Sequence, residues 1–71
     1  MTDIEPTAPP AERRRTLLAA IHRAGGTWTR QRAWELYRPR PEPKFVRRDL
    51  QALCAAGLLV RVRIGEYRVP R

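Results

Sequence analysis

The sequence predicts a small α+β domain in which three helices, with a short strand after the first, precede a C-terminal β-hairpin. Apolar residues recur at helical spacing in three segments that proline and glycine separate. Thr27-Trp28-Thr29 divides the first two helices with residues that favour extended backbone. From Leu58 onward aliphatic residues alternate with arginines until a glycine interrupts them, as expected of two paired strands.

The chain has 71 residues, of which fifteen are Lys or Arg and seven are Asp or Glu, so the formal net charge is +8. This excess predicts an anionic partner, above all nucleic acid. A domain near this size buries only about 60% of its unfolded surface, which leaves no room for a large catalytic cleft. One His, one Cys and scattered acids assemble neither a catalytic pair nor a metal-ligand set. We therefore predict no enzyme activity, no catalytic residue, no metal and no cofactor.

Cys54 is the single cysteine, so an internal disulfide is excluded and a reducing cytosol is expected. No apolar run approaches the roughly 20 residues that span a bilayer. Residues 1–10 lack the basic and apolar regions of a secretory signal. These features predict a cytoplasmic, nucleoid-associated protein with no membrane partner.

Residues 1–10 are predicted to be a flexible tail, and residues 11–71 the folded domain. The tail contains three prolines and only one large aliphatic residue, Ile4. It therefore buries too little apolar surface to offset the entropy of ordering.

Helix 1 is predicted to begin near Pro10 or Ala11 and to end at Gly25-Gly26. Three consecutive arginines, Arg13 to Arg15, spread around its first turn. They are interpreted either as solvated or as supporting phosphate contacts.

The next segment combines a short strand with the start of helix 2. Trp28 suits a strand of one or two residues that pairs with a later segment. Thr29 is a good N-cap for helix 2, and three prolines from Pro39 onward stop that helix by Arg38. Thr29, Arg30 and Arg32 lie at the positive end of helix 2, where a phosphate can be held.

Helix 3 is predicted within Lys44 to Leu59, with Pro43 at its first position and Gly57 ending it. Its buried and free faces follow from the helical period. The buried stripe consists of Val46, Leu50 and Leu53, and the free face with its flank carries Lys44, Arg47, Arg48 and Gln51.

Roles on helix 3 follow from side-chain chemistry. Arg48 and Gln51 have the donors that major-groove readout requires, and Arg47 at the flank is expected to reach a phosphate. Asp49 is expected to orient an arginine or to lie near the hairpin, because DNA repels a carboxylate. Phe45 either contacts a thymine methyl group or packs under the hairpin.

The hairpin is predicted to present two different faces. Leu58, Val60, Val62 and Ile64 point one way, whereas Leu59, Arg61 and Arg63 point the other. Gly65-Glu66 is the turn, and Tyr67 and Val69 lie on the returning strand. Arg61 and Arg63, which share a face, and Arg68 near the returning strand are interpreted either as a basic edge that tracks phosphates or as a solvated surface.

The order of these elements is that of a winged helix-turn-helix. Two segments resemble repressors of the deoxyribose-operon (DeoR) family. The first is Val46–Leu53, which contains R-R-D-L and a further leucine three residues on. The second is Ala56–Val62, which contains G-L-L and a basic strand. Trp28–Tyr37 matches more loosely. The sequence is also similar to short stand-alone winged-helix proteins of high-GC bacteria and their phages.

The resemblance implies binding to double-stranded DNA, with helix 3 in the major groove and the hairpin, or wing, on the backbone or minor groove. The family has a longer C-terminal half that senses sugar phosphates, whereas this sequence ends at Arg71. Effector control is therefore not carried over, and no small-molecule effector is expected here. The family also tends to have a small hydroxyl residue where this sequence has Phe45.

We therefore predict a sequence-specific double-stranded DNA-binding protein, either a small transcriptional regulator or an accessory factor of a phage or mobile element. The predicted DNA-binding residues are Lys44, Arg47, Arg48, Gln51, Thr29, Arg30, Arg32, Arg61, Arg63 and Arg68. The alternative is a module that docks on an acidic protein such as the transcription machinery, which an exposed apolar patch around Trp34, Tyr37 or Phe45 would favour. No heptad or extra helix offers a dimer interface, so we expect a monomer in solution that pairs on DNA.

Overall fold

A computed structural model describes residues 3–70 as an α+β domain with three helices and a three-stranded antiparallel sheet. The elements in chain order are α1 (Pro10–Ala24), β1 (Trp28–Thr29), α2 (Arg30–Trp34), α3 (Pro43–Ala55), β2 (Val60–Arg63) and β3 (Glu66–Arg68). The strands are ordered β1-β3-β2 in the sheet. The predicted order of helices and strands is therefore confirmed. The predicted tail at Met1 and Thr2 and the domain end at Arg71 lie outside the described residues.

The ends of α1 and α3 follow the local signals in the sequence. Pro10 and Pro43 occupy the first helical positions, where a missing N–H costs nothing. Gly25 ends α1 with φ of 68°, and its N–H donates to the Ile21 carbonyl oxygen at 2.8 Å. Gly57, with φ of 78°, follows α3. Both conformations lie in the left-handed region that glycine adopts without strain.

The second helix is shorter than predicted. Thr29 caps it as expected, its hydroxyl accepting the Arg32 N–H at 3.1 Å. The helix ends at Trp34 and not near Arg38, because the next turn tightens: the Tyr37 N–H donates to the Trp34 carbonyl oxygen, three residues back. The backbone of Tyr37 then forms a parallel bridge with Ile4 instead of a further helical turn.

The segment 1–10 was predicted to be a flexible tail, but Ile4 in this segment is part of the folded core. Its side chain is 1% exposed and lies in the hydrophobic core. The Ile4 N–H donates to the Leu36 carbonyl oxygen, and the Arg38 N–H donates to the Ile4 carbonyl oxygen, both at 2.9 Å. The backbone after α2 thus pairs with the backbone of Ile4, and the Ile4 side chain enters the core. Composition does not reveal such a long-range contact.

One core joins the helices to the inner face of the sheet. Trp28 pairs with Tyr67 across β1 and β3, and both side chains are buried. The predicted stripe of α3 is buried as expected. The buried hydrophobic residues are Ile4, Leu17, Ala20, Ile21, Trp28, Ala33, Tyr37, Val46, Leu50, Leu53, Leu59 and Tyr67.

The hairpin differs from its prediction in turn and register. The two-residue turn is Ile64-Gly65 and not Gly65-Glu66, with Gly65 at φ of 76°. A bulge interrupts β2, because Arg61 pairs with Tyr67 whereas Arg63 pairs with Glu66. Since paired residues share a face and neighbours on β3 point to opposite faces, Arg61 and Arg63 lie on opposite faces. The prediction that they share a face is therefore wrong.

None of the helices formed by residues 3–70 combines the length and apolar character required to cross a bilayer.

Candidate nucleic-acid interface

The free face of α3 gathers the polar residues that were predicted to read DNA. All four side chains, those of Lys44, Arg47, Arg48 and Gln51, are exposed. Their spacing of three or four residues places them on one side of the helix, opposite the buried Val46 and Leu50. Among the described residues, one exposed ion pair lies near this face, in which the Lys44 Nζ is 3.2 Å from Glu42 Oε2.

The carboxylate of α3 points away from that face into a buried polar cluster. Asp49 is 0% exposed and accepts four hydrogen bonds. Arg13 donates two of them, from Nε to Oδ2 at 2.8 Å and from Nη2 to Oδ1 at 2.9 Å. Arg14 Nε donates to Oδ1 at 3.1 Å, and the Tyr37 hydroxyl donates to Oδ2 at 2.6 Å. The prediction that Asp49 orients an arginine is confirmed, and this arrangement leaves the free face of α3 without a carboxylate of its own.

The two arginines of this cluster are the main structural residues that the sequence analysis missed. Arg13 is 8% exposed, and it also donates through Nη1 to the carbonyl oxygens of Pro6 and Ala8 at 3.2 Å. Its guanidinium lies 4.4 Å from the ring centroid of Phe45. Arg13 is thus neither solvated nor free for a phosphate, and the Phe45 ring packs against its guanidinium. A partner thirty-six positions away leaves no local signal in the sequence.

Burial and hydrogen bonding act on the ionisation of this cluster. Burial by itself raises the pKa of Asp49, but the hydrogen bonds from Arg13, Tyr37 and Arg14 outweigh it and hold that pKa below its ordinary value. Burial, followed by the hydrogen bond to Asp49, raises the pKa of Tyr37. The bond to Asp49 also raises the pKa of Arg13. The cluster is therefore an ionised carboxylate with charged and neutral donors at neutral pH.

An open groove of about 460 Å³ separates α2 from α3 and brings three predicted site cations together. Its lining residues are Arg30, Gln31 and Trp34 from α2 and Pro43, Lys44 and Arg47 from α3. The Trp34 indole N–H donates to the Pro41 carbonyl oxygen at 2.7 Å, which fixes the wall of the groove. Sequence spacing did not indicate Gln31 or Trp34 here, because the proline turn determines how the two helices approach each other.

The residues at the start of α2, with its N-cap Thr29, also make contacts within the domain. The Thr29 hydroxyl is the helix cap, and the Arg32 guanidinium lies 4.0 Å from the ring centroid of Trp28. The Arg30 N–H donates to the Gly65 carbonyl oxygen at 3.3 Å, which joins α2 to the hairpin turn. A helix of five residues adds few peptide dipoles, so Arg30 contributes here mainly through its exposed side chain.

The hairpin arginines do not form one edge. Arg61 shares the inner face of the sheet with Tyr67, and its positive charge opposes the rise that burial produces in the pKa of the Cys54 thiol. Arg63 shares the outer face with Glu66, and Arg68, which pairs with Val60, is half-buried. Arg61 and Arg63 are both exposed on opposite sides of the hairpin.

The aromatic patch that would favour a protein partner is not exposed. Tyr37 is 0% exposed, and Trp34 and Phe45 are half-buried. Within residues 3–70, no group of three His, Cys, Asp or Glu side chains is arranged to hold a metal ion. Comparisons with protein-family models, with curated proteins and with solved structures give no match.

Proposed function

We propose that this chain is a winged helix-turn-helix domain that binds double-stranded DNA in a sequence-specific manner, as a small transcriptional regulator or an accessory factor of a mobile element. One observation carries the proposal. The free face of α3 presents three cations and a glutamine, while its one carboxylate is buried beneath the opposite face and bound by Arg13 and Arg14. A helix with this distribution of charge faces a polyanion without repulsion.

The proposal divides the basic residues into two groups. Arg48 and Gln51, near the middle of the free face, read base edges in the major groove, since Arg pairs with guanine and Gln with adenine. Arg30, Lys44 and Arg47 line the groove between α2 and α3 and bind backbone phosphates. The hairpin β2–β3 is the wing, and Arg63 contacts the backbone. This assignment also supports a nucleoid location.

Selection from random DNA duplexes tests the proposal directly. We expect an enriched motif, and log K for that motif should fall linearly with log salt with a slope of about −0.9 per phosphate neutralised. The symmetry of the motif reports whether two copies pair on DNA. If no motif is enriched although the pool is retained at low salt, binding is nonspecific and the proposed readout by α3 is wrong.

Arg48→Ala separates base reading from general attraction. It should cost about 1–3 kcal/mol on the selected motif and leave binding to random duplex nearly unchanged. Arg63→Ala should weaken both duplexes equally and reduce the salt slope by about 0.9. Fluorescence anisotropy at several salt concentrations measures both quantities.

Arg15→Ala is the matched control, because Arg15 is an exposed arginine of α1 and its removal deletes the same charge. It should change the affinity for the two duplexes by the same small factor. A loss of discrimination in Arg15→Ala equal to that in Arg48→Ala would refute the assignment of base reading to α3.

A further inference from the structure

The side chain of Arg30 lies against the turn of the hairpin. A Cβ atom at Gly65 would be 3.5 Å from Arg30 Nε and 3.7 Å from Nη2, which are ordinary contact distances. The guanidinium therefore lies beside the space that glycine, having no side chain, leaves open. The same side chain lines the groove between α2 and α3. Arg30 thus connects the hairpin turn to the groove.

The guanidinium of Arg30 differs from its neighbours in having no partner within the described residues 3–70. Residues 30–40 contain four arginines. The other three pack on an aromatic ring or donate to backbone carbonyl oxygens, namely Arg32, Arg38 and Arg40. The exposed N–H donors of Arg30 are therefore available to an acceptor outside the domain.

The opposite wall of the groove adds two cations from α3, Lys44 and Arg47. None of the described residues that line the groove is acidic. An anion that enters the groove therefore meets positive charge from both helices. A guanidinium that already packs against the protein also loses less conformational freedom when it binds such an anion.

We propose that the hairpin turn and the groove bind one continuous stretch of DNA backbone, with Arg30 as the phosphate ligand that they share and Gly65 as its positioning residue. Gly65 leaves open the space in which the guanidinium lies beside the turn. This inference rests on the proposed binding of duplex DNA, and it adds the path of the backbone between the hairpin turn and α3.

Gly65→Asn tests the role of the open space. Gly65 has φ of 76°, and asparagine is the residue after glycine that best tolerates this conformation at the third position of a turn. The variant keeps the turn but places a side chain against the guanidinium. We expect its affinity for a duplex of fixed sequence to fall about threefold or more at low salt. The salt slope should decrease by up to about 0.9, as fluorescence anisotropy would show.

Gly57→Asn is the matched control, because Gly57 has φ of 78° but no atom lies within 4 Å of a Cβ built there. It makes the same substitution in the same backbone conformation and should bind the duplex like the parent. Cross-strand NMR contacts between Arg63 and Glu66 verify that the hairpin is intact in Gly65→Asn.

Variants of Arg30 test the same contact without altering the turn. Arg30→Ala should weaken duplex binding at least as much as Gly65→Asn, and the double variant should bind no more weakly than Arg30→Ala alone. Arg30→Lys keeps the charge but lacks the planar group beside Gly65, so its affinity should lie between those of the parent and Arg30→Ala.

Four outcomes overturn the inference. Equal weakening by Gly57→Asn and Gly65→Asn would assign the effect to the backbone, and additive effects in the double variant would separate Gly65 from Arg30. If Arg30→Ala or Arg30→Lys binds the duplex like the parent, the position of this guanidinium does not determine phosphate binding, although DNA binding itself stands. If the parent binds no duplex, the proposed function is wrong as well.

Discussion

Asp49→Ala is expected to lower the free energy of unfolding by about 3–5 kcal/mol, because removing one partner leaves a buried charge without compensation. The side chain of Arg13 is 9% exposed, and its guanidinium would lose both of its bonds to Asp49. The Tyr37 hydroxyl, in a residue that is 0% exposed, would lose its acceptor as well. Small domains have a total stability of about 5–15 kcal/mol, so the variant should lose a substantial part of its stability, and at the low end of that range it should be near its unfolding midpoint at 25 °C. Urea denaturation followed by Trp fluorescence measures the change.

Glu12→Ala is the matched control, since Glu12 is an exposed acid in the first turn of α1. Its loss removes only a favourable interaction with the helix dipole, about 0.3–1 kcal/mol. Asp49→Asn keeps the size of the side chain but removes the charge, and should fall between the parent and Asp49→Ala. If Asp49→Ala unfolds at the urea concentration of Glu12→Ala, the buried cluster does not stabilise the fold.

The same cluster predicts how stability depends on pH. The pKa of Asp49 lies below its ordinary value of 3.8 in the folded chain, so the unfolded chain takes up this proton first as the pH falls. The stabilisation from Asp49 is therefore complete above about pH 4 and is lost as the pH decreases through the folded-state pKa. Between neutral pH and acid, the parent should lose more stability than Asp49→Ala, as urea midpoints at several pH values would show. Parallel pH dependence in the two proteins would contradict this role.

The buried cluster also connects stability with the proposed function. Asp49 directly follows Arg47 and Arg48 in the chain, and its bonds to Arg13 and Arg14 link α3 to α1. This link determines which side of α3 faces outward. We therefore expect Asp49 variants to lose DNA binding in proportion to their unfolded fraction, whereas Arg48→Ala loses discrimination while folded.

Local signals account for the parts of the fold that the sequence predicted well. Four residues each affect the backbone only within a few positions, so their effects can be predicted from the sequence: Pro10, Thr29, Pro43 and Gly57. The buried stripe of α3 follows from helical geometry alone. The same geometry placed the four polar residues of the free face correctly.

The errors arise where distant segments meet. One residue of bulge at Val62 exchanges the faces of every later side chain on β2, so strict alternation placed Arg63 on the wrong face. Arg13 had the same appearance as Arg14 and Arg15 in the sequence, but its position on α1 brings it within 2.8 Å of Asp49. Such pairings depend on how elements pack, and neither composition nor periodicity contains that information.

Ile4→Ala should lower the free energy of unfolding by about 2–5 kcal/mol, the range for truncating a buried isoleucine. The reason is that Ile4 belongs to the core, with 1% of its surface exposed. Loss of its side chain leaves a cavity between the N-terminal segment and Tyr37 and weakens the backbone bridge between these residues. Urea denaturation gives the overall change, and hydrogen exchange of the Arg38 amide, which donates to the Ile4 carbonyl oxygen, reports the bridge itself.

Ile64→Ala is the same chemical change at a residue that is 90% exposed, so it isolates the effect of burial. It should alter the free energy of unfolding by no more than about 0.5 kcal/mol, the usual range for surface substitutions. A difference of several kcal/mol between the two alanine variants, together with faster exchange at Arg38 in Ile4→Ala alone, is the expected result. Equal stability and unchanged exchange would mean that residues 3–9 behave as the flexible tail that composition predicts.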